Sequence, residues 1–237
     1  MSKQLNVLCV DTSTEACSVA VLIQTGSEQK VTEHFMLAPR EHTTKILPTV
    51  EQVLQSSGLS LAEIDVVAYG RGPGSFTGVR IGISIAQGLA FGIEKNMVGV
   101  STLQAMAQQA FKLQQANDVY AAIDARMGEV YFARYQVQNN IMTLINEELV
   151  IKPVDLIELQ LANLETAVLV GSGWAAYPEL TEYFNNGQQS DIEFPNAKYM
   201  LDEAVRCIED GQTVLPELAL PVYLRDKVTW KKLPGRE

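Results

Sequence analysis

A chain of 237 residues with 47% apolar and 19% charged residues has room for one large domain or two ordinary ones, and its composition excludes a disordered protein. Its formal net charge of −10 excludes a protein that grips nucleic acid over its whole surface, because neutralising phosphates takes clustered Lys and Arg. The one basic run, residues 225–237, sets Arg225, Lys227, Lys231, Lys232 and Arg236 against Asp226 and Glu237, and reads as a solvated terminal segment.

In chain order, LNVLCVD reads as a strand, TSTEA as a turn and CSVAVLI as a second strand, which makes a hairpin with Asp11 at its bend. Acids and hydroxyl residues interrupt this apolar run and no cleavage pattern follows, so a signal peptide is not expected. No stretch approaches the ~18 apolar residues of a membrane helix. Cys9, Cys17 and Cys207 lack metal-like or redox-like spacing; two of them sit in strand-like apolar sequence and are expected as small core residues, and the compartment is expected to be the cytoplasm.

A polar link precedes TTKILPTVEQVLQSSG, where Ile46, Leu47, Val50, Val53 and Leu54 recur at helical spacing and Gly58 is a stop signal. IDVVAYG is a short strand, and the loop GRGPGS then runs into the helical stretch FTGVRIGISIAQGLAFGI. NMVGVS predicts another strand and TLQAMAQQAFKLQQ another helix.

The second half opens as the first does. VYAAID, ARMGE and VYFARYQV repeat strand, turn and strand, with Asp124 where Asp11 stood, about half a chain away. This predicts a duplicated α/β unit, divided as 1–103 and 104–237, with the last segment returning to the first unit. AVLVGSGWAAYPEL is strand, Gly-x-Gly turn and helix start, and KYMLDEAVRCIEDG is an amphipathic helix stopped by Gly211.

The glycine loop matches neither standard phosphate cradle. No lysine follows a glycine as a P-loop needs, and Gly72, Gly74 and Gly78 are misspaced for a dinucleotide fingerprint. Pro73 also removes a backbone donor. The glycines are expected to supply positive φ as the chain leaves the strand, with Ser75 capping the helix. Inside that helix Gly78, Gly82, Ala86 and Ala90 fall four apart, a stripe that admits a close neighbour. That neighbour is either the chain's own sheet or a partner helix. Arg80 opposes the helix dipole, so it is expected to hold Asp11 or Asp65, or an anion of a partner.

VDTST with SVAVL, GPGSFTGVRIG, IDARMGEVYFARY and PVYLR together resemble the bacterial TsaB (YeaZ) family, of the machinery that makes threonylcarbamoyladenosine in tRNA. The resemblance runs from Asp11 to Arg225. It implies the ASKHA fold, two duplicated α/β domains, and puts Asp11, Ser13 and Thr14 where catalytic relatives bind nucleotide phosphate and magnesium. Asp124, Gly171 and Gly173 would stand at the second phosphate and adenosine positions, a vestigial cleft with at most weak nucleotide affinity.

The catalytic paralogue TsaD binds a metal through His-x-x-x-His, and the matching segment GVSTLQAMAQQAF has no histidine. His34 and His42 make no metal site, and His42 is expected at the surface or as a cap. The resemblance therefore implies a non-catalytic subunit that pairs with a TsaD-like paralogue, joined by a TsaE-like ATPase. It would be a homodimer when alone, meet tRNA only through the complex, and need no cofactor or membrane.

The resemblance puts the partner contact on the two helices of the first unit. From the first it takes Thr44, Leu47, Val50, Glu51 and Leu54; from the second Phe76, Gly78, Val79, Arg80, Gly82, Ile83, Ala86 and Ala90. Two enzyme readings compete with the scaffold: an ASKHA ATPase or phosphotransferase using Asp11 and Asp124, and, more remotely, a metallopeptidase.

Overall fold

The computed structural model describes residues 4–225, so the basic run beyond Arg225 lies outside the described residues. Strands β1 (Gln4–Asp11), β2 (Ala16–Thr25) and β3 (Glu28–Leu37) form an antiparallel meander. Helix α1 (His42–Ser57) leads to β4 (Val66–Gly72), and α2 (Phe76–Gly92) to β5 (Asn96–Ser101). Strand β4 lies parallel to β1 and β5 parallel to β4, giving the order β3-β2-β1-β4-β5.

Helix α3 (Thr102–Gln114) then feeds a second meander of β6 (Asp118–Asp124), β7 (Val130–Gln138) and β8 (Ile141–Ile151). After α4 (Pro153–Glu158) come β9 (Val168–Val170), α5 (Gly173–Ala176), α6 (Pro178–Tyr183) and β10 (Gln188–Gln189). The second sheet is ordered β10-β9-β6-β7-β8, with β9 parallel to β6 and β10 parallel to β9. Taken from its other edge it repeats the first sheet strand for strand, with Asp11 and Asp124 ending equivalent strands. This is an α/β, ASKHA-like architecture.

Alternation along the strands divides the core. Leu8 and Val10 of β1 face α1 and α2, packing with Ile46, Val53, Val79, Ile83, Ala86 and Ala90. Val7 and Cys9 face the opposite way, toward Ala105 of α3 and Met200, Leu201 and Ala204, the last two on α7 (Leu201–Glu209). So α7 covers the first sheet although it follows the second in sequence. Helix α3 gives Leu103, Met106 and Ala110 to the second sheet's core. The expected division at 103/104 falls in its first turn. Tyr120, Phe132, Trp174 and Phe184 fill the far side of the second sheet.

Three strands were not legible in the sequence: the two-residue β10 and the longer β3 and β8. The polar link is β3, and β8 carries no pattern that separates it from a loop. Both are outermost in their sheets, where charged residues such as Glu28, Lys30 and Glu33 blunt an edge and mask the alternation. Gly58 stops α1 as predicted, at φ +82°. The three cysteines are buried and free. His42, expected at the surface or as a cap, is instead buried at the first turn of α1, its Nε2 3.2 Å from the Ala16 carbonyl oxygen.

Candidate functional site

The glycine loop is built around the first hairpin. Only Gly72 uses positive φ, at +91°; Gly70 and Gly74 are needed for closeness instead. A Cβ on Gly70 would run into the Asp11 carboxylate, and one on Gly74 into the Ser13 carbonyl oxygen. The Ser75 N–H donates to that same Ser13 oxygen at 2.7 Å, and the Ser75 hydroxyl accepts from the Gly78 N–H, capping α2 as predicted. The loop clasps the chain's own turn.

That clasp buries the polar groups of the turn. Asp11, Ser13 and Thr14 are all buried, Asp11 to 1% exposure. Asp11 Oδ1 accepts from the Ser13 N–H and hydroxyl at 3.1 and 2.9 Å, while Oδ2 is buried without a partner. Burial outweighs those hydrogen bonds and pushes the carboxyl up to about 6. Thr12 donates to the Gly78 carbonyl oxygen, Thr102 to the Ser13 hydroxyl, and Thr14 accepts from the Ala16 N–H.

The second hairpin is likewise occupied. Asp124 Oδ1 accepts from the Arg126 N–H and the Tyr177 hydroxyl, and Oδ2 pairs with the Arg126 guanidinium at 3.0 Å. Gly171 and Gly173 press on β6, where a Cβ on either would meet Ala122. Arg126 also reaches Glu15 of the first hairpin at 3.1 Å, so the two turns are joined across the mouth of the cleft. Of the nucleotide positions implied by resemblance, those of the first hairpin are buried, whereas Asp124 and Gly171 are half-buried.

Helix α2 turns much of the expected contact set inward. Gly78, Val79, Gly82, Ile83, Ala86 and Ala90 are buried against the first sheet and its hairpin, as are Val50 and Leu54 of α1. A Cβ on Gly78 would meet the Thr12 carbonyl oxygen and one on Gly82 the Thr12 hydroxyl, so the chain's own turn fills the stripe. Of the expected contact residues, Thr44, Leu47, Glu51 and Phe76 are exposed and Arg80 is half-buried.

The outward face of α2 carries a second stripe that the sequence reading missed. Ser84, Gly88 and Gly92 also fall four apart, are exposed, and the two glycines have open space where a Cβ would stand. Ile81 and Ile85 flank them, half-buried. Spacing shows both stripes equally; it does not show which one the sheet takes.

Arg80 pairs with no carboxylate among the described residues. Its Nη1 donates to the Phe76 carbonyl oxygen at 2.9 Å, and its guanidinium lies 3.3 Å from the Phe76 ring centroid and 4.8 Å from that of Tyr223. The cation is held by cation–π contact rather than by an anion. Tyr223 belongs to a terminal segment that runs beside α2, where Gln87 donates to the carbonyls of Pro216 and Ala219. Its Arg225 crosses to the second hairpin, bonding Glu129 and the carbonyls of Ala125 and Arg126.

A groove of about 780 Å³ opens on the other side of the molecule, lined by Arg71, Ser101, Gln104, Tyr135 and Glu148 among others. Among the described residues no group of three or more His, Cys, Asp or Glu is arranged to hold a metal ion. No helix there is long and apolar enough to cross a membrane.

A family model described as TsaD, tRNA N6-adenosine threonylcarbamoyltransferase, matches residues 34–218. The chain is 50% identical to the "tRNA threonylcarbamoyladenosine biosynthesis protein TsaB" of Escherichia coli (strain K12), over 98% of this chain and 100% of that protein. It is 49% identical to the protein of the same name from Haemophilus influenzae, over 99% and 100%. The solved structure "YeaZ from Pseudomonas aeruginosa" superposes with a TM-score of 0.80 at 37% identity, covering 94% of this chain and 100% of that one.

Proposed function

We propose that this chain, which belongs to the TsaB (YeaZ) family of tRNA threonylcarbamoyladenosine biosynthesis proteins, serves that modification as a scaffold subunit without a reaction of its own. The observation that carries the reading is the sealed first hairpin. A phosphate or magnesium site needs carboxylate and hydroxyl groups turned to solvent, and here Asp11, Ser13 and Thr14 are buried under the glycine loop.

The activity then resides in a TsaD-like paralogue, which this chain holds in a heterodimer. A TsaE-like ATPase joins them, tRNA is met through the complex, and all of this takes place in the bacterial cytoplasm. The outward faces of α1 and α2 are the docking surface: Thr44, Leu47 and Glu51 on one helix, Phe76, Arg80, Ser84 and Gly88 on the other. Small residues there let a partner helix approach closely. Without the partner, the same face pairs with a second copy.

The test is reconstitution. Omitting this chain from a mixture of the TsaD-like transferase, the ATPase, ATP, an activated threonylcarbamoyl donor and tRNA should abolish modification, and the Asp11→Asn and Asp124→Asn variants should restore it as the wild type does. If the isolated chain hydrolysed ATP at enzyme-like rates and Asp11→Asn abolished that, the scaffold reading would be wrong.

A further inference from the structure

Glu148 of β8 is the most heavily bonded carboxylate between the two sheets. Its side chain is only 6% exposed, and the Arg71 guanidinium grips it through two nitrogens, at 3.1 and 3.2 Å. The Tyr135 hydroxyl donates to Oε1 at 2.9 Å, and the Ser101 hydroxyl donates to the same oxygen. Arg71 and Ser101 stand at the ends of β4 and β5 in the first sheet; Tyr135 and Glu148 come from β7 and β8 in the second.

The network therefore has two members in each half. It is a half-buried, bidentate pair in which two hydroxyls also donate to one carboxylate oxygen, a form of ion pair whose geometry is restrictive. The Glu15–Arg126 pair at the opposite rim also spans the halves, but Arg126 is 74% exposed there and such pairs hold little. Arg71 has a further duty, because its carbonyl oxygen accepts from the Val222 N–H and so ties down the terminal segment.

We propose that Arg71, Ser101, Tyr135 and Glu148 form a lock that fixes the angle between the two sheets. Two-layered α/β proteins that close over ligands do so by hinge or shear motion between their halves. Here the four side chains span the junction, and the chain behaves as one rigid body.

The test uses the full chain with spin labels on Gln52→Cys in α1 and Glu182→Cys in α6, both exposed positions in opposite halves. Excess unlabelled chain is added so that only intramolecular distances are read. The wild-type background should give one narrow distance distribution, and Glu148→Gln or Arg71→Met should shift and broaden it. Arg71→Lys, which keeps the charge without the two-pronged grip, should fall between them. A narrow, unshifted distribution in folded Glu148→Gln, even with lowered stability, overturns the lock and leaves a merely stabilising network. If Glu148→Gln does not fold, Tyr135→Phe removes one neutral donor: broadening supports the lock and an unchanged width overturns it. The isolated chain is measured, so the outcome is independent of the scaffold reading.

Discussion

Thr12 and Gly78 hold each other reciprocally. The Thr12 hydroxyl donates to the Gly78 carbonyl oxygen at 2.7 Å, and the absence of a Cβ on Gly78 leaves room for the Thr12 carbonyl oxygen. Gly78→Ala would drive a carbon into a backbone oxygen that cannot swing aside. A loss of about 1–3 kcal/mol is expected, read as a lower urea midpoint with an unchanged slope. Unaltered stability would mean that the turn relaxes freely.

Gly88 is the contrasting case on the same helix, exposed and with open space around it. Gly88→Ala should raise the stability of the isolated chain by about 0.5–1 kcal/mol through helix propensity. Gly88→Leu should stay folded yet weaken association with the TsaD-like partner. Calorimetry and size-exclusion chromatography separate the two effects, and full association by Gly88→Leu would remove this face from the interface.

Asp11 gives a pH signature. Its folded-state carboxyl, near 6, lies above the ordinary 3.8, so its protonated form is favoured by folding. The favourable contribution is complete below about 3.8 and is lost as pH rises through about 6, a swing of about 3 kcal/mol. Asp11→Asn should therefore stabilise the protein by an amount of that order at pH 8 and hardly at all at pH 4. An equal effect at both pH values would show that the carboxyl is not titrating in the folded chain.

Arg225 supports the second turn, where Arg126, Met127 and Gly128 all adopt positive φ. It donates to the carbonyls of Ala125 and Arg126 and pairs with Glu129. A charged hydrogen bond of about 1.5–3 kcal/mol corresponds to a tenfold or greater change in local opening. Arg225→Ala should speed tryptic cleavage after Arg126 by about tenfold or more, with the site read by mass spectrometry. An unchanged rate would mean that the turn holds itself.

The sequence announced the duplicated architecture because the Asp11 and Asp124 hairpins repeat a period-2 pattern with the same turn. It announced the cap at Ser75 and the stop at Gly58 because those are local chemistry. The edges β3 and β8 were hidden because a solvated edge strand and a polar loop share a composition. The small-residue stripe was placed on the outside of α2 for a different reason. Periodicity located two helices correctly, but Gly78 and Gly88 differ only in what lies across from them, and that is a tertiary fact. Arg80 was expected to find a carboxylate because charge suggests charge; the aromatic partner Tyr223 comes from far along the chain.

The two thin faces of α2 have a consequence for mutational tolerance. An ordinary amphipathic helix tolerates change on its wet side, so a saturation library shows permissive positions recurring every 3.6 residues. Scored by folding alone, α2 should show that rhythm, strict at Gly78, Gly82, Ala86 and Ala90 and lenient at Ser84 and Gly88. Scored by tRNA modification in cells, the lenient positions should close as well, and the rhythm should vanish into a continuous block of intolerance. The difference between the two maps would trace the proposed docking surface residue by residue.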